Sequence, residues 1–459
     1  MSASPESAAP SAATTQLLTG WGRTMPSRAT VVAVRDVDDV SETVVRVGPR
    51  GVIARGAGRS YGDAAQNGGG TVLDLSALDT IVLHDDGDVE AGAGVLLSAL
   101  LDTLLPHGRF LPVTPGTRYI TVGGAVAADV HGKNHHRDGS FSAHVRWLDL
   151  VTADGTAHRI APDGPPADAE LFHATTGGMG LTGVVVRARF ATVAAPTSLM
   201  RVDTTRCADL DSLMSAMVDA DATARYSVAW VDGMSRGARL GRGVLTVGDH
   251  AEADAGRSRD VPGRLGGPRL SVPPVPVSPL NRATLAAFNE VWFRKAPRSR
   301  HGEIQGVAPF FYPLDGVAGW NRLYGRDGFV QYQFAVPDAG ADVVRQTLQR
   351  LAGMGAPSFL TVLKRFGPAR EQAPLSFPLS GWTLAIDLPA RVPGLADVLD
   401  DLDELVVTAG GRLYLAKDSR AVPATIAAGY PRLPDFRRLR HAVDPDGVFV
   451  SDLSRRLAL

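Results

Sequence analysis

An α+β fold in two domains is what this sequence predicts, and three observations carry that reading. The chain has 459 residues, more than one hydrophobic core usually serves. Its first hundred residues open β-α-β and then run through strands in quick succession, which is not the cadence of a doubly wound sheet. Beyond about residue 192 the composition changes, and strands and helices alternate around a long Pro- and Gly-rich interruption.

In order along the chain, the β-rich run 29–34 precedes apolar residues at helical spacing over 37–47, and 51–55 reads as the next strand. Short strands are expected at 71–75, 80–83 and 89–91, and an amphipathic helix over 96–105 stops at His107-Gly108. In the second half, helices at 210–220 and 284–293 accompany strands at 225–231 and 243–247. Helices at 341–354 and 396–409 then alternate with strands at 329–336, 358–366 and 383–388. Residues 251–280, crowded with Pro, Gly, Arg and Ser, show no periodicity and are expected to be a mobile, lid-like segment. Residues 1–15, rich in Ser, Ala and Pro, read as a disordered tail.

Composition narrows the function. At 44% hydrophobic and 21% charged residues the chain is globular and soluble. Lys plus Arg number 47 against 48 Asp plus Glu, so nothing in the charge balance calls for nucleic acid. The local cluster Arg294, Lys295, Arg298 and Arg300 reads either as an anion-attracting site or as a solvated basic turn. A single cysteine, Cys207, rules out an intrachain disulfide and a thiolate metal site, and is expected to be a small buried apolar side chain. No basic segment followed by an apolar core marks a standard secretory signal. No apolar run reaches the roughly 20 residues that span a bilayer. Membrane contact would therefore be peripheral, and the cytoplasm, the membrane surface and the periplasm all stay open.

Two glycine-bearing segments carry the chemistry. In 54–63, Gly56, Gly58 and Gly62 follow a strand and let backbone N–H groups approach a diphosphate. Their G-x-G-x-x-x-G spacing opens no helix, which disfavours a Rossmann nicotinamide site. In 115–124 the pair Gly123-Gly124 precedes small residues, suiting close packing on a large flat ligand, and His131, Lys133, His135 and His136 follow. A metal site, a solvated polar loop and a cofactor cradle compete for that cluster. Without cysteines, and with few carboxylates nearby, no metal is expected.

Together, Arg55-Gly-Ala-Gly-Arg-Ser-Tyr-Gly-Asp63, Pro115-Gly-Thr followed by Thr121-Val-Gly-Gly124, His131-Gly-Lys133 and Gly177-Gly-Met-Gly-Leu-Thr-Gly183 resemble the FAD domain of the vanillyl-alcohol-oxidase superfamily. Within it, the chain is similar from Thr19 to Arg456 to the flavin oxidases of decaprenylphosphoryl-β-D-ribose. The strings Gln66-Asn-Gly-Gly-Gly70, Phe311-Tyr-Pro-Leu-Asp315, Gln331-Tyr-Gln333, Lys364-Arg-Phe-Gly-Pro368, Ala373-Pro-Leu-Ser-Phe-Pro378 and Ala416-Lys-Asp-Ser-Arg420 carry that likeness. The resemblance implies an FAD-binding part over 16–195 completed by 412–459, around a mixed or antiparallel-sheet substrate domain over 196–411. It also implies FAD contacts from Ala54, Arg55, Gly56, Ala57, Gly58, Arg59, Ser60, Tyr61, Gly62 and Asp63. Gly116, Thr121, Val122, Gly123, Gly124, His131, Gly132, Lys133, Asn134, Val185 and Tyr414 are implied to join them.

Many superfamily oxidases carry a flavin-linked histidine where this chain has Arg59, so FAD is expected to be noncovalent. By the same resemblance His131, Lys417 and Tyr61 flank the reacting edge of the flavin, with the proton acceptor undecided among them. Lys133, Tyr312, Gln333, Lys364 and Phe366 are implied to line the sugar pocket. So are Thr383 and Ala385, where related chains carry Asn and Cys. The implied reaction is oxidation of the ribose 2′-hydroxyl to a ketone, the first half of an epimerisation that makes the arabinose donor for cell-wall arabinan. A separate NADH-dependent keto-reductase is the implied partner. A soluble sugar, alditol or aldonolactone oxidase is the alternative.

Overall fold

The computed structural model describes residues 13–252 and 265–459, and they form the expected two-domain α+β fold. The first sheet has four strands in the order Ala13–Leu18, Ser27–Ala33, Thr71–Asp74, Val52–Arg55. Ser27–Ala33 and Val52–Arg55 each pair parallel with Thr71–Asp74 between them, and the helix Val37–Val45 connects the first to the second. Asp36 starts that helix by accepting the Asp39 N–H at 2.9 Å. A five-stranded antiparallel sheet follows, ordered Ile81–Leu83, Val89–Gly92, Val184–Phe190, Val145–Val151, Ala157–Ile160.

The second half builds one antiparallel sheet of eight strands. Its order is Ser299–Gly306, Leu199–Cys207, Gly243–His250, Tyr226–Val231, Thr361–Phe366, Gly381–Pro389, Phe329–Val336 and Arg412–Leu413. Alternation decides which face is which. Leu363, Phe334, Leu384, Ile386 and Leu388 are buried apolar residues on one face; the helices Asp342–Met354 and Leu395–Thr408 belong to the same core. The opposite face carries Gln331, Gln333, Thr383 and Asp387, polar yet also buried, and the half-buried Lys364.

The C-terminus closes the molecule onto its start. Arg456 donates two hydrogen bonds to Asp63, at 2.8 and 3.0 Å, and a third to Asp418 at 2.8 Å. Both carboxylates are buried. Gly62 passes so close to residue 418 that a Cβ on it would stand 2.0 Å from the Asp418 carbonyl oxygen, which is why glycine is required there.

The expected helices lie where the sequence puts them, within two residues at either end, while the strands expected at 358–366 and 243–247 run Thr361–Phe366 and Gly243–His250. Residues 13–15, expected in a disordered tail, instead begin the strand Ala13–Leu18, which pairs antiparallel with Ser27–Ala33; residues 1–12 lie outside the described residues. The lid-like 251–280 also differs. Residues 253–264 lie outside the described residues, but Leu270–Ser271 pairs parallel with Val317–Ala318. Leu265 donates its N–H to the Asp102 carboxylate at 2.9 Å, so residues 265–271 are tied down by main-chain N–H and strand bonds that leave no periodic trace. Ser299–Gly306 was missed because its mostly exposed, polar sequence shows no apolar alternation. Cys207 is buried as expected. Among the described residues no helix is long and apolar enough to cross a membrane.

Replacing Arg456 with Ala leaves Asp63 and Asp418 buried without their cation, and is expected to cost about 3–5 kcal/mol, read as a drop in the urea midpoint.

Candidate active site

Register places the candidate residues on one buried sheet face. Gln331 lies opposite Asp387, Gln333 opposite Ala385, and Lys364 opposite Thr383. Spacing by two keeps them on the same side.

Three of them form a chain of hydrogen bonds. Thr383 uses its own proton on the Phe334 carbonyl at 2.8 Å, so its lone pair accepts from the Gln333 amide at 3.3 Å. The second amide proton of Gln333 points to His131 Nε2 at 3.1 Å. Occupied by a donor, Nε2 is the unprotonated nitrogen, which leaves the proton on Nδ1. Nδ1 is buried without a partner among the described residues. Phe366, Phe377 and Tyr414 enclose the ring at 4.8, 5.5 and 5.2 Å between centroids. Burial, then the charges of Lys364, His135 and Lys417, hold its pKa well below the usual histidine value; this imidazole is neutral.

A second group forms around Tyr61. Its hydroxyl accepts from Gln331 at 3.2 Å, and Gln331 also donates to Asp387 at 2.5 Å. Lys417 sits over the Tyr61 ring, 3.8 Å from its centroid. Burial pushes the Asp387 carboxyl up and the Lys417 ammonium down, each partly offset by the other's charge. Burial also raises the Tyr61 phenol well above its ordinary value, so it stays protonated. A tight turn positions Lys417: its N–H donates to the Tyr414 carbonyl at 2.9 Å, while the Tyr61 N–H donates to Ala416 at 2.9 Å.

Lys364 links these groups to a third, since its charge lowers the pKa of His131, Lys133 and Lys417 alike. Burial alone brings Lys364 to about 8, and burial followed by Lys364 brings Lys133 to about 7. Lys133 donates to the Phe310 carbonyl, and Tyr312 bonds Thr114 at 2.7 Å. These two stand apart from the His131–Gln333 chain, joined to it by field rather than by direct bonds. The histidine cluster diverges: His135 Nδ1 accepts from the Gly367 N–H at 3.2 Å, and His136 Nε2 stands 3.0 Å from the Ala224 carbonyl.

The remaining candidates shape a cradle. Arg55 donates to the carbonyls of Ala65 and Thr19 at 2.9 and 2.8 Å, setting the curve of the loop that follows. A Cβ on Gly56 would meet Thr121 Oγ1 at 2.1 Å. Thr121 accepts the Gly124 N–H at 3.2 Å, the Gly123 N–H bonds Ala93 at 2.9 Å, and Val185 packs inside the strand Val184–Phe190. Four features suit a flat ligand that carries both an anionic group and hydrogen-bond donors. Arg59 is mostly buried with its guanidinium 4.0 Å from the Trp21 ring centroid and no ion pair among the described residues. Asn134 Oδ1, an acceptor, and His131 Nδ1, a donor, lack partners among the described residues. Around Gly116 no heavy atom lies within 4 Å of where a Cβ would stand.

Sequence reasoning gave no role to Gln331, Asp387 or Arg456. Asp387 had a readable signal: it is a lone carboxylate in an otherwise apolar strand, two and four residues after Ala385 and Thr383. Arg456 had none, because its partners are hundreds of residues away.

Comparison with known proteins gives a consistent picture. Residues 28–161 match the family model described as FAD binding domain, and 390–457 the one described as D-arabinono-1,4-lactone oxidase. The chain is 43% identical over 456 residues to decaprenylphosphoryl-beta-D-ribose oxidase of Mycolicibacterium smegmatis, covering 97% of this chain and 98% of that one. It is 45% identical over 381 residues to an uncharacterized protein of Streptomyces coelicolor, covering 80% and 100%. To the alditol oxidase of a Streptomyces species it is 27% identical over 424 residues, covering 89% and 90%.

An anion entering beside Lys133 and Lys364 would restore their charged forms. Binding of an anionic substrate to the FAD-loaded protein at about pH 8 is therefore expected to take up protons. Calorimetry in buffers of differing ionisation enthalpy reads this; a buffer-independent heat would contradict the shifts.

Proposed function

The chain belongs to the decaprenylphosphoryl-β-D-ribose oxidase family, in the vanillyl-alcohol-oxidase superfamily, and on that premise we propose how its residues oxidise the ribose 2′-hydroxyl of decaprenylphosphoryl-β-D-ribose. It is an FAD-dependent oxidoreductase acting on a CH–OH group, and the product is the 2′-ketone. The observation that carries the residue assignment is the buried sheet face on which Lys364, Gln333, Thr383 and Asp387 face His131, Tyr61 and Lys417.

FAD supplies the hydride acceptor. Residues 54–63, Gly116, 121–124, His131–Asn134, Val185 and Tyr414 would hold it, within an FAD domain of 16–195 and 412–459 around the substrate domain 196–411. Lys417 takes the hydroxyl proton, because burial leaves it partly as neutral amine at neutral pH. His131 is unsuited to that task at Nε2, whose lone pair Gln333 occupies; from Nδ1 it donates. Tyr61, held as a phenol, orients the hydroxyl. Lys364 and Lys133 meet the phosphodiester, with Tyr312 and Phe366 as walls. Thr383 orients Gln333 where an Asn is found in related chains, and Ala385 leaves the pocket without a thiol. The ketone then requires a separate NADH-dependent reductase, and a polyprenyl tail requires contact with a membrane surface.

Anaerobic mixing with decaprenylphosphoryl ribose is expected to bleach the flavin band near 450 nm, while alditols and aldonolactones leave it unchanged. Bleaching by those soluble compounds alone would favour the alditol-oxidase reading that the 27% identity keeps in view. Lys417→Ala should slow the reduction about 10²–10⁴-fold. With Arg59 in place of a linking histidine, acid precipitation should leave all the flavin in the supernatant; colour retained in the pellet would refute noncovalent binding.

A further inference from the structure

Exposed apolar side chains are unevenly spread over this molecule. Of thirteen large ones among the described residues, five fall between Leu270 and Trp292: Leu270, Val277, Phe288, Val291 and Trp292. Phe288 and Trp292 are the two aromatic members of the thirteen. Single exposed apolar residues are ordinary, but a cluster holding both exposed aromatics marks an interaction surface.

The helix Arg282–Lys295 organises this surface. Phe288, Val291, Trp292 and Lys295 follow one another at i, i+3, i+4 and i+7, one side of a helix. Phe288 and Trp292 stack at 6.0 Å with 16° between their planes. The adjoining stripe is pinned inward: Leu285, seven residues before Trp292, is buried, and Asn289 donates to Asp232 at 2.9 Å and to the Ser358 carbonyl at 3.0 Å. Asn281 caps the helix start. Held in this way, the helix cannot roll to hide its apolar side.

Charge indicates what covers it. Of the six charged residues from Arg282 to Arg300, five are basic. Arg294 is paired with Glu290 and Arg300 with Glu303, while Lys295 and Arg298 are exposed and have no carboxylate partner among the described residues. The patch also backs onto the active site. Phe288 meets Phe359 edge-on at 6.0 Å, Phe359 lies 6.1 Å from Tyr324, Tyr324 stacks on Phe329 at 4.2 Å, and Phe329 meets Tyr61 at 5.3 Å.

We infer that this face seats the protein on an anionic lipid bilayer. Phe288, Val291 and Trp292 enter the headgroup region, and Lys295 and Arg298 meet lipid phosphates. A lipid-tethered sugar then reaches the site without its tail crossing water; this purpose, though not the docking itself, rests on the substrate reading above.

The test is co-sedimentation of the FAD-loaded full chain with vesicles of phosphatidylcholine and phosphatidylglycerol, against phosphatidylcholine alone. Preferential binding to the anionic vesicles is expected, about fivefold per basic residue at the surface. Val291→Ser with Trp292→Ser should weaken it about tenfold. Lys295→Glu with Arg298→Glu should weaken it at least as much and remove the preference. Absent binding, or binding that neither pair alters, overturns the inference. So does a wild-type dimer on size exclusion that Val291→Ser with Trp292→Ser splits into monomers, because a second copy then covers the face. Turnover of a short-chain, water-soluble prenylphosphoryl ribose should be the same in both pairs and in wild type. If wild type itself fails to turn it over, the substrate reading falls, while the vesicle result still decides the docking face.

Discussion

Arg456 is the constraint on which the site depends. Its guanidinium joins Asp63, in the Gly-rich loop, to Asp418, one residue beyond Lys417. A planar fork with several fixed donors suits two carboxylates at once, which a lysine could not match. Because both carboxylates are buried, the interaction is strongly directional, and it sets how closely Tyr61 and Lys417 approach. The 3.8 Å separation of the Lys417 ammonium from the Tyr61 ring centroid follows from that closure and from the Tyr61–Ala416 backbone bond.

The second organising fact is an imbalance of charge. Three lysines, Lys133, Lys364 and Lys417, share the site, and the Asp387 carboxylate offsets the charge of Lys417 alone among them. Burying cations without equal anions is unfavourable unless they lose their protons or gain an anionic ligand. The depressed lysine pKa values are the first of these outcomes, and a bound phosphodiester would be the second. Gln331 and Gln333 do the remaining work: each amide has both protons committed, so neither can turn to another hydrogen-bonding pattern without breaking two bonds.

Much of this was legible in the sequence, for identifiable reasons. Helices such as Asp342–Met354 and Leu395–Thr408 have strong amphipathic periods, and they lie where expected. The glycine segments around Gly56 and Gly123 were legible because only glycine tolerates the contacts found there. His131, Gln333, Lys364, Thr383 and Lys417 came from resemblance, not from periodicity; register brings Gln333, Lys364 and Thr383 together, and a hydrogen bond and a turn bring His131 and Lys417 to them. Strands such as Ser299–Gly306 were not legible: an exposed edge strand has no buried side to impose alternation. Arg456 and Asp387 were hidden for another reason, since a pairing across the chain leaves no local pattern.

The last strand of the large sheet has a consequence for how the protein is made. Phe329–Val336 is almost entirely buried, yet on one side its backbone is covered by a strand of two residues, Arg412–Leu413. A ribosome adds about 5–20 residues per second, so this apolar edge emerges seconds before its cover does. In that interval the nascent chain presents an open, hydrophobic strand edge, the geometry that recruits other chains. Premature termination anywhere between these two strands would make that interval permanent, so incomplete products should be cleared or aggregate rather than survive as flavin-free protein.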